Sequence, residues 1–128
     1  MQTVNLTCYA YASNVGEALP VTAYIEGDIA IHRPASYDGS HKPCLSDKGW
    51  NVSHIPTGKP IDNARPRNLR RPGNLRDLRR WAREWQHLAP DAFAALRTLE
   101  SLAGQEALGR TLLDASAQAA ANLGIQDR

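Results

Sequence analysis

"PGNLRDLRRWAREWQHLAPDAF", residues 72–93, is where the chain changes its period. From Leu75 onward apolar residues return every three or four positions. On a helix turning about 100° per residue, Leu75, Leu78, Ala82 and Trp85 cluster on one side, with Trp81 and Leu88 at the edge of that cluster. Pro72 and Gly73 forbid an earlier start, Asn74 is a good N-cap, and Asp77 suits the positive end of the helix dipole. The spacing predicts a helix from Asn74 to about His87. Pro90 and Asp91 open a second helix that should stop at Gly104, by the preference for proline first and glycine last. A third, over residues 105–124, puts Leu108, Leu112, Ala115, Ala119 and Leu123 on one stripe and ends at Gly124.

Upstream of this stretch the period is two. "TVNLTCYAYA", residues 3–12, alternates Val4, Leu6, Cys8 and Ala10 with polar and aromatic neighbours, as a strand does. "VTAYIEGDIAIHR", residues 21–33, reads as a hairpin turning at Gly27-Asp28, where glycine supplies the positive φ of a tight turn. Its buried face stays open, because Ile25 and Ile31 fall on opposite sides. "WNVSHI", residues 50–55, is a fourth strand closed by the breaker "PTGKP". Residues 34–49 are rich in Pro, Gly, Ser and Asp and read as a long loop. Residues 56–73 read as irregular chain. The outline is an α+β fold: a small antiparallel sheet of about four strands followed by three helices. One domain accommodates all 128 residues, with a strand-rich half over 1–58, a basic proline-containing arm over 59–73 and a helical half over 74–128. No internal repeat is visible.

Composition excludes several classes. Hydrophobic content of 42% with 22% charged residues is that of a folded globular chain. No apolar run approaches the roughly 20 residues of a membrane span, and "MQTVNLTCYAYA" lacks the charged opening of a secretory signal. A cytoplasmic protein is expected, with Cys8 and Cys44 as thiols rather than a disulfide.

The formal charge of +2 hides a polar distribution. Between residues 59 and 83 stand Lys59, Arg65, Arg67, Arg70, Arg71, Arg76, Arg79, Arg80 and Arg83 against Asp62 and Asp77, a net of +7 that leaves −5 for the rest of the chain. On the predicted helix Arg76, Arg79, Arg80 and Arg83 fall within about 100° of one another, opposite the apolar side. Four guanidinium groups on one face repel by a few tenths of a kcal/mol per i,i+4 pair, so about that much must be offset. One reading pairs them with the acidic remainder of the chain. The other makes them an anion-binding face, extended by Arg65, Arg67, Arg70 and Arg71 in a flexible arm. Arginine outnumbers lysine eight to one in this segment, which favours bidentate phosphate or carboxylate contacts. A helix-turn-helix does not fit, because the basic helix comes first of the pair.

Catalytic patterns are poor. His32, His41, Cys44 and His54 offer nitrogen and sulfur donors for zinc, but "HKPC" supplies only one compact ligand pair. A Cys44–His nucleophile is chemically allowed, with nothing local to activate it. "PTGKP" is no phosphate loop, since Pro60 stands where Ser or Thr is needed. Trp81 and Trp85, four apart on one face, suit core or dimer packing better than base stacking. Ala115 and Ala119 suit close helix approach, either within the chain or in a dimer.

Residues 30–61, "AIHRPASYDGSHKPCLSDKGWNVSHIPTGKPI", carry His32-Arg33-Pro34 at a strand end, then Gly49-Trp50, Val52, His54 and Pro56-Thr57-Gly58. This H-R-P…G-W-x-V-x-H-x-P-T-G pattern resembles small phage-encoded proteins of unknown activity. The resemblance covers about a quarter of the chain and implies origin in a mobile element. By analogy with that class, such proteins act stoichiometrically, by occluding a host or defence complex, as anti-CRISPR proteins do. The expectation is a non-catalytic binding protein, monomer or homodimer, without a cofactor. Its arm and first helix would meet a host protein or nucleoprotein complex. A stand-alone DNA- or RNA-binding accessory protein is the alternative, and a zinc- or thiol-dependent enzyme a second.

Overall fold

The helical period takes over at Leu75, and three helices follow: α1 (Leu75–Leu88), α2 (Pro90–Leu96) and α3 (Glu106–Asn122). The structure, a computed structural model, describes residues 2–9, 16–33, 35–37, 43–45, 49–61, 64–66, 69, 75–98 and 104–125. Ahead of the helices run β1 (Gln2–Tyr9), β2 (Gly16–Glu26), β3 (Ile29–His32), β4 (Ala35–Tyr37), β5 (Pro43–Leu45), β6 (Asn51–His54) and β7 (Lys59–Pro60). An antiparallel sheet has the order β1-β2-β3-β6-β7, and β4 pairs with β5 as a separate ribbon. The α+β arrangement is the expected one, with five strands in the sheet rather than about four.

Several boundaries differ from the expected ones, each for a local reason. β2 starts at Gly16, ahead of Val21, because β1 pairs with it from Gly16 to Ala23. Pro20 is tolerated there, since β3 pairs with β2 only from Tyr24 onward and leaves Pro20 an edge position on that side. The segment read as a long loop contains β4 and β5, and the breaker contains β7 behind Gly58, whose φ is +70°. α2 stops at Leu96, well before Gly104, and the Thr98 hydroxyl donates to the Ala95 carbonyl at 3.1 Å. Asn74, expected as the cap of α1, lies outside the described residues.

The ambiguity between Ile25 and Ile31 has a structural answer. β3 is buried at all four positions, because both faces of the sheet are covered. On one face Ile29, Ile31 and Val52 meet Leu78, Trp81, Ala82 and Trp85 of α1, together with Phe93, Leu96, Leu112, Ala119 and Ala120. On the other, Val21, Ala23, Ala30, His32 and Ser53 are buried away from the helices. The end strands β1 and β7 approach each other, so the sheet curls towards a barrel that encloses this second face.

Two tryptophans lock the helices. Trp81 and Trp85 stack with centroids 4.8 Å apart, and Trp85 meets Phe93 edge-on at 4.9 Å. Their indole N–H groups donate to Ser116 O at 3.2 Å and Leu112 O at 2.8 Å, both on α3. Each buried indole thus keeps a hydrogen-bond partner, and losing either ring would cost about 3–5 kcal/mol. Ala119 is fully buried and Ala115 half-buried against the same core, so this stripe packs within the chain.

The arm is tied down at the positions described. Leu69 is buried in the core, Arg65 donates through Nη1 to Trp50 O, and the Ser116 hydroxyl donates to Ala64 O.

Candidate anion-binding face

α1 carries its arginines beside the hairpin tip formed by β2 and β3, and the contact is specific. Gln86 lies between the apolar and basic sides of the helix. Its Nε2 donates to Glu26 O at 2.7 Å and to Ala82 O at 3.0 Å, while its Oε1 accepts from Asp28 N at 2.8 Å. Gly27, at φ +60°, lets the tip come this close: a Cβ there would stand 2.5 Å from Gln86 Oε1. This clamp fixes Glu26 under the arginine face.

Glu26 is buried, yet it serves two cations. Arg79 Nε donates to its Oε1 at 2.7 Å, and Arg83 Nε stands 3.4 Å from its Oε2. Arg79 and Arg83 are an i,i+4 pair of like charge, and one carboxylate inserted between them converts repulsion into a bridge. Both arginines approach Glu26 through Nε, and their side chains remain 40% and 61% exposed. Arg80 pairs with Asp77 at 3.4 Å. Arg76 is exposed and makes no ion pair among the described residues. Four arginines against two carboxylates leave this patch at +2. Leu75, Arg76, Arg79 and Arg83 line a shallow depression of about 320 Å³ between them. The pairing of the arginines with acidic residues of the same chain is present at Glu26 and Asp77, and the side chains of Arg79 and Arg83 stay partly exposed beside it.

The basic surface continues onto the sheet. Tyr24 and Glu26 alternate along β2 on the helix-bearing face, and the register brings Trp50 and Arg33, just outside β6 and β3, to the same face. Arg79 lies 4.9 Å above the Tyr24 ring centroid, Tyr24 meets Trp50 edge-on at 5.8 Å, and Arg33 lies 3.8 Å above Trp50. Arg33 Nη1 also donates to Gly49 O at 3.0 Å. The row Arg79–Tyr24–Trp50–Arg33 thus alternates guanidinium and aromatic groups, with Arg65 behind Trp50.

The remaining candidates are placed as follows. Arg67, Arg70, Arg71 and His41 lie outside the described residues. Cys44 is in β5, opposite Ser36. His32 and His54 sit on opposite faces of the sheet: His32 pairs in register with Asn51 and His54 with Ile29. They cannot share a metal ion. His32 hydrogen-bonds Ser53 Oγ at 2.9 Å and Arg33 O at 2.7 Å. His54 is fully buried, with Nδ1 2.9 Å from the Thr57 hydroxyl and Nε2 4.0 Å from Asp28 Oδ2. Burial pushes its imidazole below the ordinary value of 6.5, while Asp28 opposes and Arg97 adds to the shift. Asp28 itself is held by Arg97, whose Nε and Nη2 donate at 2.6 and 2.8 Å. Among the described residues no three His, Cys, Asp or Glu side chains gather as metal ligands, and no helix is long and apolar enough to cross a membrane.

The described residues of the H-R-P…G-W-x-V-x-H-x-P-T-G pattern hold one another in place. Arg33 covers Trp50 and bonds Gly49, Val52 is core, and His54 bonds Thr57. Sequence reasoning missed Glu26, Gln86, Tyr24, Trp50 and Arg33 as parts of the site. A lone glutamate inside the apolar run "YIEGDIAI" was the one available signal for Glu26. Comparison with known protein families, curated proteins and solved structures gives no match.

Proposed function

We propose that this chain is a non-catalytic binding protein of mobile-element type, which engages an anionic partner through the arginine face of α1. The partner is the anionic surface of a host defence complex, in the manner of an anti-CRISPR protein. The observation that carries the reading is the geometry at Glu26. A buried carboxylate holds Arg79 and Arg83 through Nε, and with Arg76 and the Arg80–Asp77 pair the patch stands at +2. Guanidinium groups held in this way meet an incoming phosphate or carboxylate already oriented, which lowers the entropy lost on binding. The phage-type origin rests on the resemblance of residues 30–61.

The test is phage plaquing on a panel of hosts, each carrying one RNA-guided defence system and expressing the chain. Wild type is compared with Arg76→Ala/Arg83→Ala, two exposed positions whose truncation adds no charge beside the buried Glu26. Restored plaquing on one host, lost with the double variant, is the expected result. Full restriction on every host with folded protein present overturns the inhibitor reading. Retention on immobilised heparin, weakened in the variant, tests the anionic-partner part separately.

A further inference from the structure

The arginine patch does not end at α1, and the way it continues narrows the ligand. A carboxylate-rich protein surface would need only the guanidinium groups of α1. The adjoining row of Arg79, Tyr24, Trp50 and Arg33 adds flat surfaces in alternation with charge. Arg33 is fixed over Trp50 by its bond to Gly49 O, and Arg79 over Tyr24 by its bond to Glu26. Each guanidinium group therefore lies over an aromatic ring while its side chain stays partly exposed. Planes held like this stack on nucleobases, and the ring beneath supports the cation.

Resting on the function proposed above, we infer that this face takes single-stranded nucleic acid. Its phosphates lie in the depression formed by Arg76, Arg79 and Arg83, and its bases lie along the row from Arg79 to Arg33. A duplex offers the phosphates but keeps its base faces stacked inside, so the row would have nothing to meet. Single strands expose both groups at once. DNA and RNA share this chemistry, and they differ only at the 2′-hydroxyl.

The experiment is fluorescence anisotropy on the full chain, at about 100 mM salt, with labelled oligomers of about 15 nucleotides. The probes are oligothymidylate, oligouridylate, an abasic phosphodiester of equal length and a duplex. Stacking of a few bases predicts at least about tenfold tighter binding of a single strand than of the abasic chain or the duplex. The better of the two single strands identifies the source. Arg76→Ala should weaken all four probes and lower the salt slope by about one. Tyr24→Leu, which keeps apolar bulk against the core, should reduce only the preference for bases. Equal affinity for the abasic chain and the single strands, or a preference for duplex, overturns this inference and leaves the anionic-partner reading standing. No binding to any probe or to heparin overturns both.

Discussion

Glu26 and Asp28 stand two residues apart, on either side of Gly27 at one hairpin tip, and they use arginine in opposite ways. Asp28 takes two donors of Arg97 in a two-bonded fork that occupies both of its carboxylate oxygens. Glu26, more deeply buried, divides its two oxygens between Arg79 and Arg83 and touches each through Nε. The first arrangement pairs one arginine bidentately and ties the end of α2 to the tip. The second positions two arginines and leaves them open to a ligand. How a carboxylate engages a guanidinium, rather than how many ion pairs a surface has, is what would separate a structural contact from the proposed binding face.

That contrast can be broken at its root. Gly27→Ala places a Cβ against Gln86 Oε1 at a positive φ, so the tip should detach from α1 and disturb both carboxylates. The expected loss is about 2–3 kcal/mol, read as a lowered urea midpoint, with polyanion binding weakened as well. An unchanged midpoint would mean that Gln86 does not hold the tip. The two arginine types should then part company. Arg83→Ala is expected to weaken heparin binding several-fold and lower its salt slope by about one, with stability nearly unchanged. Arg97→Ala should do the reverse, lowering the midpoint and leaving heparin affinity alone. A more delicate change is Glu26→Gln, which raises the patch from +2 to +3. Heparin binding should tighten at low salt while stability falls by about 1 kcal/mol. Weaker binding would show that orientation by Glu26 outweighs the added charge.

The smallest expected effect concerns pH. His54 has a lowered pKa, so the folded protein resists a proton that the unfolded chain accepts near 6.5. Its contribution to stability is complete above that pH and declines as the pH falls below it towards the folded value. Urea midpoints measured from about pH 7.5 down to 5.5 should therefore fall, and His54→Asn should flatten the trend.

The sequence made some of this legible. The arginine and apolar sides of α1 follow from its spacing alone, since Leu78, Ala82 and Trp85 have to face a core. β6 was visible in "WNVSHI" for the same reason. The ends of β2 and α2 were not, because Pro20 looks like a breaker until the missing neighbour strand is known, and nothing near Leu96 resembles a stop. Least legible was the partner of the arginine face. Glu26 is 53 residues from Arg79, and only the hairpin register and the Gln86 clamp bring them together. The row from Tyr24 to Arg33 likewise depends on pairing among β2, β3 and β6.

The chain has three tryptophans, and their placement divides them by use. Trp81 and Trp85 are stacked and sealed inside, close enough for their electronic transitions to couple, so the pair should produce a split near-ultraviolet dichroism band that vanishes on unfolding. Trp50 is half-buried beside Arg33 at the edge of the basic surface, where a base bound as proposed would change its emission. Folding and occupancy can therefore be followed in one unlabelled sample, by two optical signals from separate parts of the molecule.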